Sequence, residues 1–294
     1  NFLKKYKPWG VILFSRNISN VEQTKILTDN IKNIFKDKNY PILVDQEGGR
    51  INRFNEIINV SLFTAEYFGN LYKKKIKYFL IYYKIFIYQT SFLMKQMGIN
   101  INTVPLLDVR RKKSNNIIGD RSFGSNPKIV SKIGDFCIKN FASNKIANVI
   151  KHIPGHGLAM VDSHKATPFV DIKLKKLNKI DFFPFKNKKS LFAMTAHIVY
   201  QKIDPNNTAT HSKKIINIIR NKIKYKNLII TDDISMKSLK FSIKENVIKA
   251  FKAGCNIVLH CNGNYKEMTT VAKNSPKINS FIVKKTSQFY KNLS

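Results

Sequence analysis

The amino-acid sequence predicts an α/β fold in which parallel strands alternate with helices. Short apolar runs rich in β-branched residues recur along the 294 residues, and each run ends in polar or glycine-rich residues before a helix-like amphipathic stretch. Strands that are apolar on both faces are typical of a parallel sheet covered by helices. No Ser/Gly/Pro-rich linker or change of composition divides the chain, so we expect one domain over residues 1–294.

Seven runs carry this strand pattern, and the spacing between most of them leaves room for one crossover helix. In chain order they are PWGVILFSRN (8–17), YPILVDQEGG (40–49), ININTVPLLDV (99–109), ANVIKHIPGHG (147–157), SLFAMTAHI (190–198), NLIITDDISM (227–236) and CNIVLHCNG (255–263).

The number of strands leaves two architectures open. A closed (β/α)₈ barrel needs eight strands, whereas a doubly wound open sheet accepts seven. The glycine-rich phosphate fingerprint of a dinucleotide-binding fold follows none of the runs, and polar residues end many of them, as the mouth of a barrel requires. We therefore predict a (β/α)₈ TIM-type barrel that lacks its first N-terminal strand in this chain. The first residue is Asn1 rather than Met, so we expect the natural start to lie upstream.

Residues 78–94 (YFLIYYKIFIYQTSFLM) are the one segment whose composition is close to that of a membrane-spanning helix. Lys84 lies near its middle, and Gln89 and Thr90 follow, so the uninterrupted apolar length that a bilayer requires is not reached. The segment predicts a buried helix that ends at Gly98, and we expect no membrane partner.

The net charge of +34 suggests a polyanionic partner, but its distribution argues against a specific one. Lysines occur in nearly every segment, and arginine, the better reader of bases and phosphates, is scarce. We therefore expect no specific nucleic-acid partner. The chain has three cysteines, Cys137, Cys255 and Cys261, and none of them forms a C-x-x-C motif. An odd number of cysteines without that motif predicts reduced thiols in the cytoplasm. No charged-then-apolar leader opens the chain.

The stretch IKHIPGHGLAMVDSH (150–164) contains three histidines, and two of them have the spacing of a zinc-binding helix. Pro154 and Gly155 lie between His152 and His156, which makes a helix unlikely at this point. We expect instead a strand end that runs into a glycine-rich loop, and no metal site.

Ionisable residues follow most of the predicted strands. They are Asp45, Glu47, Asp108, Lys151, His152, His197, Asp232 and Asp233. In a barrel these side chains converge on one rim. Several carboxylates, a few cations and a histidine-bearing loop suit the hydrolysis of a neutral, hydroxyl-rich substrate such as a sugar.

The motifs VDQEGGRINRF, GDRSFGSNP, KHIPGHG, VDSH, MTAHI, IDP and TDDISM occur in this order, and the chain resembles the bacterial family 3 glycoside hydrolases that act as β-N-acetylglucosaminidases in cell-wall recycling. The resemblance runs from about Pro8 to Gly263, and KHIPGHG followed by DSH is its most specific part.

This resemblance implies a role for each matched residue. Asp232 matches the nucleophile of a retaining exo-β-N-acetylglucosaminidase, His164 matches its acid/base, and Asp162 matches the carboxylate that holds the His164 ring. The positions that would bind the terminal sugar are Asp45, Arg53, Arg121, Lys151 and His152. The implied substrates are muropeptide fragments such as GlcNAc-anhydroMurNAc, and the implied enzyme is a monomer without cofactor or metal.

Each of these residues also has a purely structural interpretation. Asp162 suits a cap, and Asp232 suits the N-cap of a helix starting near Ser235, a role that Asp233 fills better by its position. Arg53 and Arg121 are ordinary surface charges in that case.

For four other strand-end residues we favour structural roles. We interpret His156 and His197 as hydrogen-bonding residues, and Glu47 and Asp108 as carboxylates that order loops. The alternative functions are a broader β-glycosidase or phosphorylase on the same residues and a catalytically degenerate, polyanion-binding barrel.

Overall fold

The computed structural model describes residues 1–111, 117–159 and 166–293, and its central feature is a curled sheet of seven parallel strands. These strands are β1 (Val11–Leu13), β2 (Ile42–Val44), β3 (Ile101–Asn102), β4 (Ala147–Ile153), β6 (Phe192–Thr195), β8 (Leu228–Asp233) and β9 (Ile257–Leu259). Each predicted run contains one of them, and their order in the sheet is β1-β2-β3-β4-β6-β8-β9. The predicted parallel α/β architecture is therefore confirmed.

Helices fill the connections between the strands. They are α1 (Phe2–Tyr6), α2 (Val21–Phe35), α3 (Ala65–Lys74), α4 (Ile76–Gln96), α5 (Pro127–Ser143), α6 (Leu174–Lys179), α7 (Lys213–Asn221), α8 (Ile243–Ala253), α9 (Tyr265–Asn274) and α10 (Ser280–Leu293). Local sequence fixes several of their starts, since the Asn20 side chain accepts from the Gln23 N–H and Ser242 and Glu245 form a capping box.

Two short strands, β5 (Phe169–Val170) and β7 (Val199–Tyr200), pair with each other in a separate parallel sheet. The strand pattern did not predict this pair, because two residues carry no periodicity.

Alternate residues along the strands enter two different cores, as the pleat of a strand requires. On one face Phe192 lies between Trp9 and Phe289 of α10, with ring centroids 5.4 and 5.7 Å away. On the other face, residues such as Ile150 and Ile229 belong to a larger core shared with the surrounding helices. Burial of both faces explains why the strands read as continuous apolar runs.

The edge strands β1 and β9 face each other across a gap. No strand pairing joins them within the described part of the chain. The cavity between them measures about 1070 Å³ and is lined by Val11 and Ile12 of β1 and by Val258 of β9. A closed eight-stranded barrel has one more strand at this place, so the seven observed strands agree with the predicted set.

The segment predicted as a buried helix is helical but only half buried. It forms α4, and Gly98, with φ +71°, follows its end. One face of α4 packs against the core through Phe79, Tyr83 and Ile87, while Ile81 and Tyr88 on the other face are exposed. None of the described helices is both long and apolar enough to cross a bilayer.

Candidate active site

The described residues of the predicted site line one cavity at the carboxyl ends of the parallel strands. Its volume is about 160 Å³, and among its walls are Asp45, Arg53, Arg121, Lys151, His152 and Asp232. Parallel strands place their carboxyl ends on one rim, so residues far apart in sequence meet here. Asp162 and His164 lie outside the described residues.

Lys151 is the centre of a buried ionic cluster at one side of the cavity. Its ammonium group contacts Asp45, lies 2.6 Å from Glu47 Oε1, and donates to Thr103 Oγ1 at 3.2 Å. Arg121 donates two hydrogen bonds to Glu47, at 2.7 and 2.8 Å. A bidentate pair of this kind fixes both side chains in one geometry.

The ionisable side chains of this cluster are all in their charged forms. Burial alone would raise the pKa of Asp45, but Lys151, Arg53 and Arg121 reverse the effect and hold that pKa well below its ordinary value. The pKa of Glu47 is lowered in the same way by Arg121 and Lys151. Burial lowers the pKa of Lys151, yet its two carboxylate partners raise it above its usual range. The cluster therefore presents fixed charges and donors at neutral pH.

His152 is oriented by Asp108. The Asp108 carboxylate accepts from His152 Nδ1 at 2.7 Å and from the backbone N–H of His156 at 2.6 Å. This contact assigns the proton to Nδ1 and leaves Nε2 toward Asp232, whose Oδ2 is 3.9 Å away. Burial raises the pKa of Asp108, and His152 more than offsets this, so that the pKa is lowered.

Asp232 is the accessible carboxylate at the end of β8. Its side chain is 22% exposed, and its Oδ1 accepts from the backbone N–H of Asp233 at 2.7 Å. Burial would raise the pKa of Asp232, but His152, His197 and the Asp233 N–H lower it below its ordinary value. Asp232 is thus an ionised carboxylate with an oxygen available to the cavity.

Asp233 has a structural environment instead. Its carboxylate accepts from the hydroxyl of Ser235 at 2.8 Å and from the backbone N–H of Cys261 at 3.1 Å. These bonds hold a turn after β8. The prediction of a helix that starts near Ser235 is therefore wrong, and the next helix, α8, starts at Ile243. Local side-chain bonding of this kind competes with helix formation.

The two remaining histidines of the matched motifs differ from each other. His197 Nε2 donates to the Asp233 carbonyl at 3.0 Å while Nδ1 accepts from Thr210 Oγ1 at 2.7 Å. Its hydrogen-bonding interpretation fits this environment. Burial lowers the pKa of His156 to about 4, and its Nδ1 has no hydrogen-bond partner within the described ranges.

Thr103 and Phe14 were missed by the sequence reasoning. Thr103 donates to Asp45 Oδ1 at 2.5 Å, and the Phe14 ring lies 5.2 Å from the Arg53 guanidinium. Both line the cavity. The available signal was position, because Thr103 directly follows β3 and Phe14 directly follows β1.

Comparisons with known proteins agree on one family. Residues 1–286 match the model of the glycosyl hydrolase family 3 N-terminal domain. The chain is 31% identical over 258 residues to a β-hexosaminidase of Nitrosomonas eutropha, covering 86% of this chain and 73% of that protein. It is 34% identical over 263 residues to a β-hexosaminidase of Actinobacillus pleuropneumoniae, covering 86% and 74%.

A solved structure gives the same picture. The chain superimposes on native NagZ from Neisseria gonorrhoeae with a TM-score of 0.85 at 30% identity, over 96% of this chain and 82% of that one. A second structure of the same protein, in complex with N-trifluoroacetyl-D-glucosamine, gives a TM-score of 0.85 at 29% identity, over the same shares of the two chains.

Proposed function

The chain belongs to glycosyl hydrolase family 3 and is a glycoside hydrolase of the β-N-acetylhexosaminidase type, and we propose that it removes terminal β-linked N-acetylglucosamine with retention of configuration. The observation that carries this proposal is the ionised Asp232 carboxylate, which lies beside His152 and lines the same cavity as the ionic cluster around Lys151. A carboxylate kept ionised by its neighbours is suited to attack an anomeric carbon.

In the first step an oxygen of Asp232 bonds to the anomeric carbon while the bond to the leaving oxygen breaks. His164 gives its proton to that oxygen, and Asp162 accepts a hydrogen bond from the other ring nitrogen and favours the charged imidazole. In the second step His164 removes a proton from water while the water oxygen bonds to the anomeric carbon and the bond from that carbon to Asp232 breaks, which releases the sugar. The roles of Asp162 and His164 rest on the DSH motif, because both lie outside the described residues.

The terminal sugar would be held by Asp45, Arg53, Arg121, Lys151 and His152. Arg53 donates from Nη2 to Asp45 Oδ2 at 3.1 Å, and its side chain is 24% exposed, so the guanidinium group has further N–H donors for sugar hydroxyls. Lys151 already directs its protons to Asp45, Glu47 and Thr103. Its contribution is therefore largely to fix the carboxylate oxygens that accept from the sugar.

The substrate class belongs to the same proposal. We assign muropeptide fragments such as GlcNAc-anhydroMurNAc as substrates. The support is the resemblance of motifs such as KHIPGHG and VDSH to the enzymes of cell-wall recycling, together with the β-hexosaminidase relatives. We also propose that the enzyme is cytoplasmic, monomeric and free of metal and cofactor, and the free, buried thiols of Cys137 and Cys255 support the reducing compartment.

Covalent labelling tests the central step. The protein is treated with a slow 5-fluoro N-acetylglucosamine donor, and the adduct is located by peptide mass. We expect the label on Asp232 and none on an Asp232→Asn variant. A label on Asp233 or Asp45 would overturn the assignment, and sugar 1-phosphate formed on adding phosphate would reassign the reaction to phosphorolysis.

A further inference from the structure

Helix α4 is apolar on two opposite faces. The inner face is buried, and its rings pack against one another and against neighbouring helices. The centroid of the Tyr83 ring, for example, lies 4.4 Å from that of Phe68 and 5.4 Å from that of Phe79. The outer face carries five large apolar or aromatic side chains that are 45–55% exposed. They are Tyr78, Ile81, Ile85, Tyr88 and Phe92.

We call these five residues the outer stripe. They recur at intervals of three, four, three and four residues, which places them on one side of a helix over about four turns. Monomeric proteins seldom expose a contiguous apolar surface of this kind without a partner. The stripe is also extended at its side by Tyr82, which is 44% exposed and whose ring centroid lies 5.7 Å from that of Tyr78.

Lysines border the outer stripe, and no acid is near it in sequence. Lys77, Lys84 and Lys95 are seven and eleven residues apart, close to whole helical turns, so they follow one edge of the stripe. From Tyr67 to Leu107 the sequence has six lysines and no Asp or Glu. None of the ion pairs within the described ranges involves the three bordering lysines.

We propose that the outer stripe docks on the surface of an anionic lipid bilayer, with α4 lying in the plane of the interface. An apolar stripe with tyrosines enters the region between headgroups and acyl chains, and bordering lysines attract anionic headgroups. A second copy of the chain fits less well, because each copy carries a net charge of +34 and would bring its lysines against the other's.

This proposal does not depend on the glycosidase assignment. The sequence-based expectation of no membrane partner came from excluding a transmembrane span, whereas surface docking requires only one exposed face. Nucleic acid would satisfy the lysines but leave the aliphatic part of the stripe in water.

Vesicle co-sedimentation tests the proposal. The full chain is mixed with vesicles of phosphatidylglycerol and phosphatidylcholine, or of phosphatidylcholine alone. We expect binding to the anionic vesicles that weakens with salt, and little binding to the neutral ones. Ile85→Ser combined with Tyr88→Ser should reduce the partition coefficient about tenfold or more, since apolar area is lost from the lipid contact. The control, Ile278→Ser with Val283→Ser, alters similarly exposed residues outside α4 and should change it less than twofold.

A second pair of variants isolates the charge. Replacing Lys77, Lys84 and Lys95 by Gln should weaken binding by about fivefold per lysine at low salt. The same change at Lys213, Lys214 and Lys222, in and after α7, should have a much smaller effect.

Four results would overturn the proposal. They are no binding to anionic vesicles, equal binding to neutral ones, equal losses in test and control variants, and a concentration-dependent dimer in sedimentation velocity that the stripe variant abolishes. Unchanged hydrolysis of a soluble aryl substrate by the stripe variant shows that this variant is folded. If the stripe variant has lost this hydrolysis, the binding of the lysine variants tests the proposal in its place.

Discussion

Removing the positive charge of Lys151 should destabilise the protein strongly, because it leaves two carboxylates without their common partner. The side chain of Lys151 is 2% exposed, and those of Asp45 and Glu47 are 18% and 7% exposed. Breaking a buried pair from one side costs about 3–5 kcal/mol. Arg53 and Arg121 still compensate the carboxylates in Lys151→Met, so we expect a loss near the lower limit, about 3 kcal/mol.

Lys188 provides a matched control. Its side chain is also 2% exposed, and its ammonium group donates to Ser131 Oγ at 2.8 Å and to Asp135 at 2.9 Å. Asp135, however, is 58% exposed and is hydrated once the lysine is gone. Lys188→Met should therefore cost only about 1 kcal/mol.

Thermal unfolding followed by circular dichroism measures the difference. The losses correspond to a fall in Tm of about 6–12 °C for Lys151→Met and of about 2–4 °C for Lys188→Met. Equal falls in the two variants, or a Lys151→Met protein as stable as the parent, would show that burial of the carboxylates does not govern the energy of the cluster.

Three further predictions concern the candidate site and its surroundings. Asp232→Asn should lower kcat for an aryl N-acetylglucosaminide by about 10⁴-fold, and substantial retained turnover would exclude Asp232 as nucleophile. His164→Ala should slow a substrate with a poor leaving group far more than one with a good leaving group, and equal losses would remove the acid role. Burial raises the pKa of Asp181 from 3.8 to about 6 against the opposing effect of Arg111. The folded protein therefore keeps a proton that the unfolded chain releases, and the stability contributed by this group is present below pH 3.8 and lost as the pH rises to about 6. Asp181→Asn should flatten the fall of Tm over this range, whereas the exposed Asp171→Asn should leave it unchanged.

The sheet was readable from the sequence because its strands are buried on both faces. Continuous apolar runs located all seven strands, although the first run covered 8–17 and the strand is only Val11–Leu13. The outer face of α4 was not readable, since an apolar residue toward solvent looks the same in sequence as one toward the core. Tertiary packing alone separates Ile85 from Ile87.

The sequence predicted which site residues lie at strand ends, but it did not predict how their side chains contact one another. Their place at the carboxyl ends of strands indicated that Asp45, Lys151 and Asp232 would meet on one rim. The sequence contained no sign that Lys151 would bridge Asp45 and Glu47, because Asp45 lies 106 residues away from it in the chain. A helix cap was expected at Asp232 or Asp233, whereas the Asp233 carboxylate accepts from the backbone N–H of Cys261 and holds a turn there.

Strand β4 carries Lys151 and His152 and lies in the interior of the sheet, with β3 hydrogen-bonded on one side and β6 on the other. Strands held in the core of a domain open at a higher free energy than loops do. The lysine and the histidine of the cavity are therefore mounted on a part of the molecule that fluctuates little, so a ligand has to adjust its own position to theirs.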